Sequence, residues 1–225
     1  MDFAVKWISV SNPREIKKFA SILVLKELLH EAPVITFTKI FAIESALQMF
    51  NSIWNLIRDK KEYIRQEALM FFKEAIKQIS QRELRNLSKE SWLVKIYSLV
   101  RQTMKEKSEI VVHGNIMILH WLLRYSSRET FIHYLVEISE YVLNFRKSLN
   151  IKIKKSVIES LPVIAKYNPG IFVAEHLDMT LNFLMNSAQK KEWRKVSYKV
   201  LSNLLSLIHR SLLQKYAKLI LKILL

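Results

Sequence analysis

Six histidines are the residues of this chain best suited to acid–base or metal chemistry: His30, His113, His120, His133, His176 and His209. They are scattered. His113 and His120 are seven residues apart and share a helix face, but no carboxylate follows either at i+3 or i+4 to complete a metal set. The best carboxylate pair is Glu137 with Glu140, a spacing that also describes an ordinary polar helix face. There is no cysteine, which excludes disulfides, thiolate metal sites and cysteine nucleophiles. The 2 glycines, Gly114 and Gly170, are too far apart to form a Walker loop or a dinucleotide or kinase glycine loop. Nucleophile, base and oxyanion donors form no constellation. These residues predict a chain without catalytic, cofactor or metal sites.

Charge is the other chemical resource. Lys plus Arg is 36 against 20 Asp plus Glu, a net charge of +16 over 225 residues. The cations cluster. Arg146, Lys147, Lys152, Lys154 and Lys155 bracket one helix junction, and Lys190, Lys191, Arg194, Lys195 and Lys199 bracket the next. Lys17 with Lys18, and Lys60 with Lys61 and Arg65, take equivalent places earlier. The ordinary reading is a solvated, lysine-rich face. An acidic protein partner ranks next and nucleic acid last, because arginine is scarce and no aromatics interleave the clusters as single-strand binding requires. Lys152, Lys155, Lys191, Arg194 and Lys195 are the candidate partner surface. Trp193, set among charges at a helix start, joins them as an expected exposed contact.

The elements that must position these residues read as helices throughout. Half the residues are apolar, enough for a sizeable core. So few glycines argue against hairpin-rich folds. Asn12 as N-cap, Pro13 and Glu15 start a helix, with Ile16, Phe19, Ala20, Leu23 and Leu28 as its stripe, ending before Pro33. Helices are expected over about 41–57, 62–80, 91–104, 110–124 and 127–145. Another covers 150–167, with Pro162 inside it as a kink, and two or three more follow from Phe172 to Leu225. Gln81–Glu90 is a polar connection, and Asn168-Pro169-Gly170 is the clearest break. Trp54, Trp92, Trp121, Phe71 and Phe72 fall on apolar stripes and are expected in the core. No apolar run approaches the length that spans a bilayer, and the start lacks a signal-peptide pattern. A cytoplasmic protein is expected, with the nucleus as alternative.

The helices pair, and small or apolar landmarks in each second helix (Ala20, Ala68, Ile116, Val157, Val196) recur at about 40–48 residues, close to the period of HEAT or armadillo repeats. At one junction Asp59 is positioned to cap the following helix and to pair with a basic residue there or in the next repeat, with Arg65 six residues on. Asn150 with Lys154 repeats the junction in weaker form. The predicted fold is an all-α, HEAT/armadillo-like right-handed α-solenoid of about five helix pairs. It forms one array over 1–225, with units near 1–33, 34–82, 83–126, 127–168 and 169–225.

Local strings go further. Phe19 to Pro33, Ile57-Arg-Asp-Lys-Lys-Glu-Tyr-Ile-Arg-Gln-Glu-Ala68, and Gln81-Arg82-Glu83 resemble the N-terminal HEAT region of target-of-rapamycin (TOR) serine/threonine kinases. Trp92 with Tyr97, then His113-Gly114, then Leu122-Leu123-Arg124 follow in that family's order. Ile153 to Ala165 resembles a later repeat, mid-helix Pro162 included. The likeness is collinear from about Phe19 to Tyr167 and fades towards Leu225. The absence of proline between Phe37 and Asp59 and the excess of lysine over arginine suit a divergent member. The chain's close on Leu221–Leu225, in mid-helix pattern without a C-cap, suits an array whose next repeat is missing.

The resemblance implies a scaffold segment of an ATP-dependent serine/threonine kinase. That segment would catalyse nothing and would position a raptor-like or rictor-like subunit, or a second TOR protomer, in a growth-controlling complex. The alternative is a basic HEAT-repeat protein that binds nucleic acid or acts as a transport adaptor.

Overall fold

The computed structural model describes residues 2–9, 15–31, 45–83, 91–208 and 216–217, and every regular element among them is helical. The expected caps Asn12 and Pro13, the stretch 41–44 with Ile43, most of the 81–90 connection and the closing Leu221–Leu225 lie outside the described residues, as do the side chain of Leu47 and all of His209. The chain forms two compact units, Met1–Ser127 and Arg128–Leu225.

The first unit holds α1 (Asp2–Ser9), α2 (Glu15–Glu31), α3 (Ser45–Leu56), α4 (Glu62–Glu83), α5 (Trp92–Thr103) and α6 (Glu109–Tyr125). Here α1 packs on α2 and α3, α2 on α4, and α4 on α6, while α3 and α5 complete the other layer. The first helix of each pair thus meets its counterpart in the next, and so does the second, which is how repeats bury faces that one pair alone leaves wet. Ile64, Ala68, Phe71, Phe72, Ala75 and Ile79 of α4 are all buried, as their three- and four-residue spacing predicts. Phe50, Phe71, Phe72 and Trp92 form a ring cluster with centroids 5.8–5.9 Å apart, and Trp54 meets Phe72 edge-on at 5.5 Å. Such pairs add about 0.5–1.5 kcal/mol each beyond the area they bury.

The second unit holds α7 (Arg128–Phe131), α8 (Leu135–Asn144), α9 (Ile151–Tyr167), α10 (Pro169–Glu175), α11 (Leu177–Ala188) and α12 (Lys191–Leu205). Here α9 packs on α8, α10 and α12, and α11 packs on α10 and α12. Asn168 caps α10 by accepting from the Ile171 amide at 3.3 Å, with Pro169 at the first helical position. Pro162 lies inside α9 without ending it.

Two expectations are corrected. The helix foreseen over 127–145 is segmented: a 3₁₀ turn at Ile132–Tyr134 separates α7 from α8, and a second at Phe145–Lys147 follows. At this break the Phe131 amide donates to the Tyr167 hydroxyl at 3.0 Å. In α2 the inward face is Ser21, Ile22, Leu25 and Leu29, while Ile16 is 81% exposed. The run Ile22-Leu23-Val24-Leu25 is apolar on every side of the helix, so periodicity alone could not pick the face.

Candidate partner-binding surface

The Asp59 junction is built from backbone as much as from charge. Lys61 occupies the N-cap position of α4, since its carbonyl accepts from the Arg65 amide at 3.2 Å. Asp59 therefore stands too early to cap the helix, and its Oδ1 instead accepts from the Lys61 amide at 2.9 Å, closing the turn in front of it. Its other oxygen faces Lys18 Nζ at 3.3 Å. The partner is thus in the preceding pair, on α2, and not in the same or the following one. Arg65 reaches back with its guanidinium to the carbonyls of Asp59 (2.7 Å) and Lys60 (2.9 Å).

Lys18–Asp59 is one rung of a ladder between α2 and α4, which run in the same direction. Glu15 meets the Tyr63 hydroxyl and Lys61, Lys26 meets Glu67 at 2.8 Å, and His30 meets Glu74 at 3.4 Å. A hydrogen bond to Glu67 holds the Lys26 ammonium above its ordinary range against the pull of burial. Burial pushes Glu74 up, but Gln78, Lys77 and His30 together bring it below the usual carboxylate value. Further along, Arg58 pairs with Glu106 at 2.5 Å. Most basic residues at the early junctions are therefore matched internally.

The later junctions differ. Asn150 caps α9 as expected, accepting from the amides of Lys152 (3.0 Å) and Ile153 (3.3 Å). One turn on, Lys154 lays its ammonium over two rings, 5.3 Å from the Trp193 centroid and 5.8 Å from that of Phe183. Burial, and then the charge of Lys190, lower the Lys154 pKa, against an opposing pull from Glu192. Trp193 is only 6% exposed, which corrects its reading as an exposed contact. Its ring faces inward from the first turn of α12, and the polar residues around it in sequence point elsewhere. Arg194 turns its Nε back to the Ala188 carbonyl at 3.3 Å, and Lys155 reaches Glu159 at 3.9 Å.

Lys152, Lys190, Lys191, Lys195 and Lys199 are exposed, and among the described residues the last four make no ion pair. Lys190, Lys191 and Glu192 line an open depression at the α11–α12 turn. Leu149 and Ile151, at the start of α9, are 98% and 65% exposed.

The histidines do not converge. His30 belongs to the α2–α4 ladder, His133 is exposed, and His176 is buried 3.8 Å from Glu175. His120 is half-buried on α6, and its pKa falls to about 4 through burial, then through the charges of Arg124 and Lys73. Glu137 and Glu140 lie on the outer side of α8, whose inner side is Leu135, Ile138, Ser139 and Val142. Among the described residues no group of three His, Asp or Glu side chains could hold a metal, and no helix is long and apolar enough to cross a membrane.

Sequence reasoning missed Lys18 as the partner of Asp59, Tyr167 as the acceptor for Phe131, and Lys154 as a cover for Trp193. Only the first carried a signal: Lys18 precedes Asp59 by 41 residues, one repeat length.

Solved structures of similar fold include designed armadillo repeat proteins. A designed armadillo repeat protein superposes with a TM-score of 0.59 at 13% identity, covering 96% of this chain and 86% of its own. An engineered protein gives 0.58 over 95% of this chain, and a designed armadillo repeat protein in complex with the peptide (KR)4 gives 0.54 over 94%. The fold is thus all-α and solenoid-like, as expected.

No protein-family model matches the chain. Among curated proteins it is similar to the serine/threonine-protein kinase tor1 of Schizosaccharomyces pombe, at 22% identity over 98% of this chain and 9% of that protein. It is 25% and 23% identical to the TOR kinases of Oryza sativa subsp. japonica and Arabidopsis thaliana, over 81% and 82% of this chain and 7% of each of theirs. The chain therefore spans less than a tenth of the length of these relatives. The resemblance read from Phe19 to Tyr167 is found again as similarity to TOR-type serine/threonine kinases over 81–98% of the chain.

Proposed function

We propose that this chain is a non-catalytic scaffold segment of a TOR-type serine/threonine kinase, corresponding to part of the N-terminal HEAT array, and that it assembles protein subunits of a growth-control complex. The observation that carries the reading is the similarity to tor1 over 98% of this chain, on a fold of stacked helix pairs. A solenoid presents extended faces, which suits docking of other chains. Its partners by this reading are a raptor-like or rictor-like subunit or a second TOR protomer, in the cytoplasm. The scattered histidines and carboxylates support the absence of catalysis.

The test is association. The purified chain is mixed with the raptor-like and rictor-like subunits of the same organism, and co-elution is followed by size-exclusion chromatography. A stable complex with one of them, or a self-complex, is expected, together with no phosphate transfer from ATP to a generic protein substrate. Failure of every pairing at micromolar concentrations would overturn the scaffold reading. Kinase activity of the isolated chain would overturn the non-catalytic one.

A further inference from the structure

We propose that the surface joining the start of α9 to the outer face of α12 docks an acidic polypeptide segment of a partner protein, with Leu149 and Ile151 as apolar anchors. The proposal rests on the scaffold reading and supplies the chemistry of the partner.

Three observations carry it. First, Lys191, Lys195 and Lys199 repeat at four-residue steps on α12, all exposed, making a row of cations about 6 Å apart on one helix face. Neither they nor Lys190 find an acid among the described residues, and Glu192 is the one carboxylate on this helix. In the α2–α4 ladder, by contrast, Lys18, Lys26 and Lys61 are each paired to a carboxylate. Uncompensated like charge at this spacing raises the energy of the free protein, and an acidic ligand removes that cost.

Second, the starts of α9 and α12 lie side by side. The Lys154 ammonium of α9 touches the Trp193 ring of α12 and is acted on by the charge of Lys190. Third, Leu149 at 98% exposure is the most exposed large apolar side chain described, with Ile151 two residues on and Lys152 beside it. Apolar anchors rimmed by charge are the ordinary anatomy of a docking site.

The same details set aside the other polyanions. Nucleic acid would need rings free to stack or arginines free to fork, yet Trp193 is buried, Phe183 lies under Lys154, and Arg194 is the one arginine on α12 and bonds its own backbone. A membrane would need a broader apolar face than two side chains.

The experiment uses the full chain and a labelled 20-residue peptide of alternating Glu and Leu, with a labelled 20-base-pair duplex and vesicles rich in phosphatidylserine as competing probes. Fluorescence anisotropy is expected to show micromolar peptide binding. Lys191→Glu with Lys195→Glu and Lys199→Glu should weaken it at least tenfold, and Leu149→Ser with Ile151→Ser several-fold. Circular dichroism of both variants should be unchanged, because all five residues are exposed. No peptide binding, binding untouched by the reversals, or tighter binding of duplex or vesicles would each overturn the proposal. The two readings fail separately. Peptide binding without any kinase-complex partner leaves this surface and removes the scaffold assignment, whereas subunit binding indifferent to the reversals does the converse.

Discussion

Gly114 on α6 faces Ile57 so closely that a Cβ added to the glycine would stand 2.6 Å from Ile57 Cγ2, and 3.8 Å from Leu69 Cδ2. Ile57 is buried in the turn after α3, and its branched methyl sits on the carbon next to the backbone, so it has little room to swing away. Gly114→Ala gains about 1 kcal/mol of helix propensity and meets an overpacking cost of about 1–3 kcal/mol. Net destabilisation of the order of 1 kcal/mol is expected in urea unfolding. The pair Gly114→Ala with Ile57→Ala should lose less than the two single variants summed, since the smaller neighbour relieves the clash. An additive pair would mean that the close approach is not what selects glycine here.

Asp59 joins consecutive helix pairs through Lys18 and the Lys61 amide, and each half of that role can be removed separately. Asp59→Asn keeps an acceptor for the amide and loses the charge. Asp59→Ala loses both and should cost about 1–2 kcal/mol, more than the asparagine variant. A double-mutant cycle with Lys18→Met should return a coupling of about 0.5–1 kcal/mol, falling as salt is raised. A coupling of zero at low salt would reduce the ion pair to a surface contact and leave the Asx turn as the whole contribution.

These two junctions show what could be read in advance. The period of the landmarks and the apolar stripe of α4 depend on near-neighbour spacing, which the sequence displays directly, so the helices, their pairing and the buried Ala68 and Phe72 were foreseen. Asn150 was foreseen as a cap for the same reason, since its partners lie two and three residues away. The α2 face and the exact N-cap of α4 were missed locally, whereas the other misses depend on distance along the chain. Trp193 looked exposed because its neighbours in sequence are charged, yet α9 arrives from some 40 residues upstream and covers it with Lys154. The helix over 127–145 looked continuous, and Tyr167, which accepts from the Phe131 amide beside the break, lies 36 positions later. Which of the clustered cations remain unpaired follows only from the folded arrangement.

His120 makes the first unit sensitive to acid. Its folded-state pKa of about 4 lies below the ordinary 6.5, pushed down by burial and then by Arg124 and Lys73. The unfolded chain therefore takes up the proton first as pH falls. Stability supplied by neutral His120 is fully present above pH 6.5, declines as pH drops towards 4, and changes no further below that. The shift corresponds to about 3 kcal/mol. Unfolding free energy measured between pH 7 and 4 should fall by an amount of that order, and His120→Gln should flatten most of the slope. A slope unchanged in the variant would assign the acid sensitivity to the paired carboxylates of the α2–α4 ladder instead.

Tyr167 meets the chain at the break between α7 and α8. Its hydroxyl accepts from the Phe131 amide at 3.0 Å, and both residues are buried. Tyr167→Phe keeps the ring and removes this acceptor, at a cost of about 0.5–1.5 kcal/mol for the lost hydrogen bond. A small rotation of Phe131 from its φ of −121° and ψ of 7° towards helical values would let α7 continue into α8. The two outcomes separate by hydrogen exchange. Loss of the bond alone leaves the protein less stable, with faster exchange at Phe131. A rejoined helix restores stability and slows exchange across Ile132–Tyr134. The first is expected, because Phe131 is fully buried where it stands and rotating the segment would draw its ring out of the core.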